Sequence, residues 1–455
     1  MDPLREGSRL RRRTFLIGSS IAASSFAGCL DNDEETNETN GGNSNGGDGG
    51  GDGDDGESDD GESGDTTAPE PDFTVGPSDE ADYETLQEAY DALASGDVIG
   101  LEPGEYTVQP TVEYADDVNG EDLIKTYTYV GESAEETTIA LEMPEATSFI
   151  VKGPLRFLPD DGAPGFWNVT LDIPDELSYA RAEGDWNFND DDADDHVIAA
   201  NYCRINGSLG GPTDAYDSTF NDALSHRMSA RNCRFRGDVG GGRLAARDCQ
   251  FQGRVTSANG YMVDSTIEGT VNLNHMTALR CEMEQGMNIT GDGAAKHCVI
   301  ESKPDDRLAI DIRSEYEATV FGCEIYGTVR SNRDGSYIDR FERNTFDVPS
   351  GTRYIIDGAP ATEIFLNAFI GGDVRITTDT GDLNSFPSNE LTLYDPEREL
   401  GNYYAQWEQV STADEGILET RTLPGDDGAM DRYPLANPDV DAYAEAAAEE
   451  EEEDD

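Results

Sequence analysis

Along the middle of the chain, small or apolar residues alternate with polar ones in a unit that recurs through spacers of changing length. Cys203-Arg-Ile205-Asn-Gly207-Ser-Leu209, Cys233-Arg-Phe235-Arg-Gly237-Asp-Val239, Cys249-Gln-Phe251-Gln-Gly253-Arg-Val255 and Cys323-Glu-Ile325-Tyr-Gly327-Thr-Val329 share it, and Ser265-Thr-Ile267-Glu-Gly269-Thr-Val271 changes only the first residue. The spacing is 16 residues from Cys233 through Cys249 and Ser265 to Cys281, then 17 to Cys298 and 25 to Cys323. Asn344-Thr-Phe346 and Asn367-Ala-Phe369 continue the series, and Asn168-Val-Thr-Leu171 begins it, which would bury Asn168 on the ladder. Period-two alternation predicts short strands, with the glycine permitting a bend between one strand and the next. A unit this short cannot bury its apolar face alone, so successive coils must stack, Cys on Cys and Phe on Phe, in a parallel β-helix. The longer spacers at 206–229 and 299–321 are expected to project as loops from one rung each, and loops are where binding residues usually sit.

The ends of this body resemble a known superfamily. Tyr83-Glu-Thr85-Leu86-Gln87-Glu88-Ala89-Tyr90, running on through Gly96-Asp97-Val98-Ile99 to Glu102-Pro103-Gly104-Glu105-Tyr106, resembles the entry of pectate-lyase-like right-handed β-helix proteins. There a short amphipathic helix caps the open end before the first coil. Gly401-Asn402-Tyr403-Tyr404, Leu423-Pro424-Gly425 and Asp431-Arg432-Tyr433-Pro434-Leu435 resemble the closing segment of NosD-like β-helix proteins. The resemblance implies an all-β, single-stranded right-handed parallel β-helix over 73–435 with a short N-terminal capping helix. The hexapeptide signature of the left-handed alternative is missing from these rungs. Caps at both ends make physical sense, because an uncovered terminal rung would offer a row of unpaired backbone groups.

Outside the body the chain reads differently. Arg12-Arg13 followed by Phe15-Leu16 and the apolar run Ile17 to Phe26 resembles a twin-arginine export signal, and Phe26-Ala27-Gly28-Cys29 resembles a lipobox whose cysteine is acylated after cleavage. The apolar run is well under the roughly 20 residues that cross a bilayer. Residues 1–28 are thus read as a signal peptide, and 29–72 as a lipidated Cys29 with a disordered acidic linker, since Asp, Glu, Gly, Ser, Asn and Thr cannot bury a core. Residues 436–455 are read as a disordered acidic tail.

Composition extends this picture. The chain carries 96 Asp plus Glu against 31 Lys plus Arg, a formal charge of -65. Such a surface is tolerable in brine, where at about 1 M salt the screening length is roughly 3 Å. Together with the export signal it resembles the proteins of salt-loving archaea. Nucleic acid and anionic membranes are excluded as partners on charge, and membrane contact is expected through the lipid alone, at the extracellular face, with the protein a monomer.

Candidate chemistry is sparse. Enzymes of the resembled fold cleave polysaccharides with clustered aspartates, or with calcium and an arginine or lysine base, but the polygalacturonase series is absent. Asp305, Asp306, Arg307, Asp311 and Arg313 place acids and arginines in one spacer, suited to acid-base work or to gripping a sugar carboxylate, and equally to a solvated surface. Asp185, Asn187, Asn189 and Asp191 alternate oxygen donors as calcium prefers, without meeting the EF-hand pattern; no cofactor is required and calcium is optional. Trp186 beside them suits sugar stacking or packing. NosD-like proteins serve maturation of a copper enzyme, yet His196, His226, His275 and His297 are dispersed and no zinc-type cysteine spacing occurs. The ladder cysteines read as inert small hydrophobes, with a disulfide between neighbouring rungs as the alternative. Of the sequons, Asn37 and Asn206 are the ones expected on accessible loops.

These features describe a cell-surface lipoprotein whose β-helix binds carbohydrate or another envelope component. A polysaccharide lyase or glycoside hydrolase, and a structural spacer or NosD-like maturation factor, remain the competing readings. The anchoring has a direct test: Cys29→Ser should release the exported protein into the medium, and a variant that stays with the membrane fraction would disprove lipid attachment.

Overall fold

In the computed structural model residues 67–454 are described, apart from interspersed stretches of which the longest are 143–155, 181–197, 378–392 and 406–416. The export signal, Cys29 and Asn37 lie outside the described residues.

Each coil contributes three short strands. One runs Val271–Leu273, Met276–Leu279 and Glu282–Met283, and the next begins at Met287–Ile289. The strands of this coil pair in parallel with their counterparts one coil later: Val271 opposite Met287, Thr277 opposite Ala294, Glu282 opposite Val299. Three faces result, here called sheets 1, 2 and 3 in the order the chain visits them. The long strands Val239–Arg247 and Val255–Val263 run through the corner between sheets 1 and 2, fusing these into 23 strands, while sheet 3 has 14 among the described residues. The architecture is a right-handed parallel β-helix, the hand that crossovers between parallel strands take.

The spacer at 206–229 is not a projecting loop. It holds a complete extra coil, with strands Thr213–Tyr216, Thr219–Phe220 and Leu224–Ser225. Ser218-Thr-Phe220-Asn-Asp222-Ala-Leu224 is the repeat with serine in place of cysteine and aspartate in place of glycine. The spacer at 299–321 likewise continues the coil through Val299–Glu301, Leu308–Ile312 and Glu317–Phe321.

The corner between sheets 2 and 3 recurs with one conformation. Tyr202, Asp217, Asn232, Asp248, Asp264, Arg280, His297, Gly322, Arg343 and Leu366 all have φ between 49° and 63°, and each immediately precedes the ladder position. Asn168, expected on the ladder, is one of these corner residues at φ 54° and is half-buried; Leu171 opposite Ile205 puts Val169 on the ladder instead. A left-handed residue turns the chain within two positions, and the N–H of the ladder residue that follows finds its partner in the next ladder side chain. The carbonyl two residues before the ladder position accepts from the corner N–H one coil back, Tyr202 N to Tyr216 O at 2.9 Å and Asn232 N to Arg247 O at 3.0 Å, and the ladder side chain adds a second donor to it. Ser218 Oγ donates to Tyr216 O and Ala200 O, both at 2.9 Å, and accepts from Cys203 N at 2.9 Å. Cys249 Sγ donates to Arg247 O at 3.1 Å and Ala230 O at 3.5 Å. Asn344 Nδ2 donates to Val320 O at 2.9 Å, and Asn344 Oδ1 accepts from Cys323 N at 2.9 Å. The six cysteines are buried, free thiols, and burial pushes the Cys203 thiol up to about 12. They are weak donors set at a position that serine and asparagine also fill, which goes beyond the role of small hydrophobe.

Inside the coils, rings continue the ladder. Phe220, Phe235 and Phe251 stack with centroids 5.1 and 4.8 Å apart, and Phe346, Phe369 and Tyr404 stack at 4.9 and 5.3 Å. The recurring glycine serves close approach: a Cβ on Gly253 would lie 2.2 Å from Gly237 O, and one on Gly269 would lie 2.0 Å from Gly253 O.

Both ends are capped. Helix α1, Leu86–Ala92, starts at Thr85, whose Oγ1 accepts from Glu88 N at 3.2 Å, and it buries Leu86, Ala89 and Tyr90 against the first coil. The chain's last residues, expected to be a disordered tail, form helix α2, Val440–Asp454. Val440, Tyr443, Ala444 and Ala447 make an i, i+3, i+4, i+7 stripe that packs on Leu366, Tyr403 and Leu435. Alanine propensity and this stripe outweigh the repulsion of the glutamate run. Between body and helix, the closing motifs meet: Tyr403 bridges to Leu435, and Asn402 N donates to Asp431 Oδ2 at 2.8 Å.

Asp431 therefore ends the ladder as a fully buried carboxyl, and burial pushes its pKa up to about 6. The folded state then holds this proton more tightly than the unfolded chain does. Its contribution is greatest below the ordinary carboxylate range and is lost as pH rises through about 6, with a swing of roughly 3 kcal/mol. Denaturant melts of wild type and Asp431→Asn should differ in stability by a pH-dependent amount over that window. A constant difference from pH 4 to 7 would refute the assignment.

Candidate functional site

Sheet 1 carries an outward column in continuous register: Thr256, Asn272, Asn288, Asp311 and Arg330. Outward positions on a β-helix stack rung on rung at about 4.8 Å, so residues distant in sequence become neighbours. Asp311 lies in the middle of this column and is fully buried. Its Oδ2 accepts from Arg313 Nη2 at 2.7 Å and Nε at 3.1 Å, and from Arg330 Nη2 at 3.2 Å. Lys303 Nζ donates to Asn288 Oδ1 at 3.3 Å. Asn272 Oδ1 and Arg330 Nε are buried with no hydrogen-bond partner.

Two of the five residues named from sequence, Asp311 and Arg313, are thus brought together. Arg307 stands exposed at the start of the same strand with φ 57°, its carbonyl accepting from Thr328 N at 2.8 Å; Asp305 and Asp306 lie outside the described residues. Arg330, Asn288 and Asn272 went unnoticed because only the register joins them to Asp311, and Lys303 because it reaches the cluster only through its bond to Asn288. The buried carboxylate fixes two guanidinium groups, whose outer parts are 47% and 38% exposed. Their remaining N–H groups, the Lys303 ammonium and the amides form a donor-rich surface that suits hydroxyl and carboxylate oxygens.

A second polar feature runs on sheet 3. Arg236 Nη1 donates to Asn221 Oδ1 at 3.0 Å, Asn221 Nδ2 to Asn206 Oδ1, and Asn206 Nδ2 to Asp172 Oδ1, a directed ladder across four coils. It ends at an open groove of about 340 Å³ lined by Leu141, Asp172, Ile173, Asn206, Gly207 and Asp222. Asn206 lies on strand Arg204–Asn206 and not on a loop, with its amide nitrogen engaged by Asp172.

The calcium candidates Asp185, Asn187, Asn189 and Asp191 lie outside the described residues. Among the described residues no group of three or more His, Cys, Asp and Glu is placed to hold a metal ion. His275 pairs with Asp292, and burial lowers the His297 pKa. No helix among the described residues is long and apolar enough to cross a membrane.

No family model matches the chain, and no curated protein does. Among solved structures it is similar to the A-modules of the mannuronan C-5 epimerases AlgE4 and AlgE6 of Azotobacter vinelandii. Each is 12% identical with a TM-score of 0.36, over 64% of this chain and 91% and 89% of theirs. ORF18 of Geobacillus virus E2 is 10% identical at a TM-score of 0.19, over 64% of this chain and 53% of that one.

Proposed function

We propose that this protein is a lipid-anchored, exported protein of the outer cell surface whose β-helix binds carbohydrate at the Asp311 cluster. The observation that carries the reading is the fully buried Asp311 carboxylate pinning Arg313 and Arg330 beside Asn288 and Lys303. Such a surface meets several sugar oxygens at once without ordering its own side chains first, which lowers the entropic cost of binding.

Binding is favoured over catalysis because Asp311, the carboxylate at the centre of the cluster among the described side chains, is already held by two guanidinium groups. A general acid or base needs a carboxyl free to exchange a proton at the substrate. The export signal at Arg12, Arg13, Phe15 and Leu16 and the lipobox at Cys29 support the location. In this reading the protein works as a monomer, takes no nucleic acid, and needs no cofactor, with calcium at Asp185 to Asp191 an optional addition.

The test is a glycan array probed in molar salt, with and without calcium, while unsaturated or hydrolysed product is monitored. Wild type should bind a defined glycan set without turnover. Arg313→Gln should weaken that binding about tenfold and also lower the melting temperature, because it takes two donors from the buried Asp311 carboxylate, whereas Lys303→Gln should weaken it at a melting temperature little changed. Product formation would make the protein an enzyme, and no binding to any glycan would leave a spacer.

A further inference from the structure

Residues 201–300 contain ten Lys plus Arg and ten Asp plus Glu, whereas the whole chain has 31 against 96. The basic residues of this neutral stretch are not spread evenly. Arg204, Arg234 and Arg236 are exposed on sheet 3, and Arg231 is exposed at the end of a sheet 2 strand beside the corner. Arg204, Thr219, Arg234 and Gln250 share one register column, which sets the two arginines two rungs apart, roughly 10 Å.

Other arginines nearby are neutralised. Arg280 holds Asp264 through two bonds of 2.6 and 2.8 Å, and Arg254 and Arg247 lie 3.5 and 3.8 Å from Asp238 and Asp248. Among the described residues, no carboxylate pairs with Arg204, Arg231, Arg234 or Arg236. Two of these are steadied by neutral amides, Arg234 Nε on Gln250 Oε1 at 2.8 Å and Arg236 Nη1 on Asn221 Oδ1 at 3.0 Å. Their charge is left intact and their aim is fixed. At the same corner Tyr202 is 39% exposed, the one large ring so placed among the described residues, and it meets Tyr216 edge-on at 5.5 Å. Asp217 shares the corner but is engaged by Asn232.

Further along sheet 3 the sign reverses. Glu268, Glu284 and Glu301 occupy successive outward rungs with Glu282 beside them, and burial together with Glu282 and Glu284 raises the Glu301 pKa. A polyanion would therefore be confined to the first coils of the face.

We infer that Arg204, Arg231, Arg234 and Arg236, with Tyr202, form a docking strip for a glycan chain that carries carboxylate or sulfate groups. This site is separate from the Asp311 cluster and does not rest on it. The guanidinium groups take the oxyanions, Thr219, Asn221 and Gln250 take hydroxyls, and Tyr202 packs on the apolar face of a sugar ring. Charge complementarity selects the occupant. A single exposed ring at the strip favours a glycan over single-stranded nucleic acid, whose successive bases are held on several stacked rings.

The experiment uses the full-length protein, with polygalacturonate, dextran sulfate, neutral dextran and a single-stranded oligothymidylate as probes, as salt is lowered stepwise from the molar range. The expected result is binding of one or both anionic glycans, strengthening as salt falls, with neutral dextran unbound. Which of the two binds distinguishes carboxylate from sulfate. The double variant Arg234→Gln with Arg236→Gln should bind at least about tenfold more weakly at an unchanged melting temperature, while Arg398→Gln in the closing segment should not. Unaltered binding in the double variant, equal binding of neutral dextran, preference for the oligothymidylate, or no binding at all would each overturn the assignment.

Discussion

One left-handed residue per coil governs the molecule. Placing φ near +55° at the corner between sheets 2 and 3 turns the chain sharply, and the N–H of the buried ladder residue that follows must then find a side-chain partner. The ladder residue one coil on supplies that partner, and ladder side chains such as Ser218 and Cys249 also donate to the carbonyl two residues back, which the corner N–H of the preceding coil already reaches. Cysteine, serine and asparagine all meet the requirement, with increasing strength. Where asparagines take over, at Asn344, Asn367 and Asn402, each also accepts from the preceding ladder N–H, and the run closes on Asp431. The ladder thus sets the register, the register stacks the phenylalanines, and the stacked coils align every outward column.

Aligned columns are what make function possible on this scaffold. With the interior fixed, outward positions vary without cost to the core, and residues about one coil apart in sequence become side-by-side neighbours. Sheet 1 uses this to bury Asp311 between two arginines, and sheet 3 uses it to string asparagines and arginines along the axis. Much of the acidic surplus lies elsewhere, in 30–72 and in the glutamates of α2. Between Cys203 and Cys298 the body is close to neutral, which leaves unpaired arginines visible on an otherwise acidic protein.

The repeat was legible because its period is short and its ladder residues differ chemically from their neighbours. Reading it gave the β-helix, the capping helix at Leu86–Ala92 and the closing segment around Asn402 and Asp431. What the sequence obscured has physical causes. The coil at Ser218 looked like a loop because serine replaces cysteine while keeping its hydrogen-bonding role. Asn168 looked like a ladder residue because asparagine suits both the left-handed corner and the ladder beside it. The C-terminal helix was hidden by its charge, although a stripe of Val440, Tyr443, Ala444 and Ala447 decided the outcome. At the candidate site, Asp311 and Arg313 were visible as neighbours in sequence. Arg330 and Asn288 became visible only through strand register, Lys303 only through its bond to Asn288, and the strip at Arg234 and Arg236 only through the register that aligns Arg204 with Arg234.

The dependence of the whole fold on the corner ladder can be tested by hydrogen exchange resolved to single amides in molar salt. The N–H groups of Cys203, Cys249, Cys323, Asn344, Asn367 and Asn402, each donated to a ladder side chain or Asp431, should exchange only with global unfolding. Exchange of these amides as fast as that of exposed corner residues would show that the ladder opens locally and does not hold the coils in register.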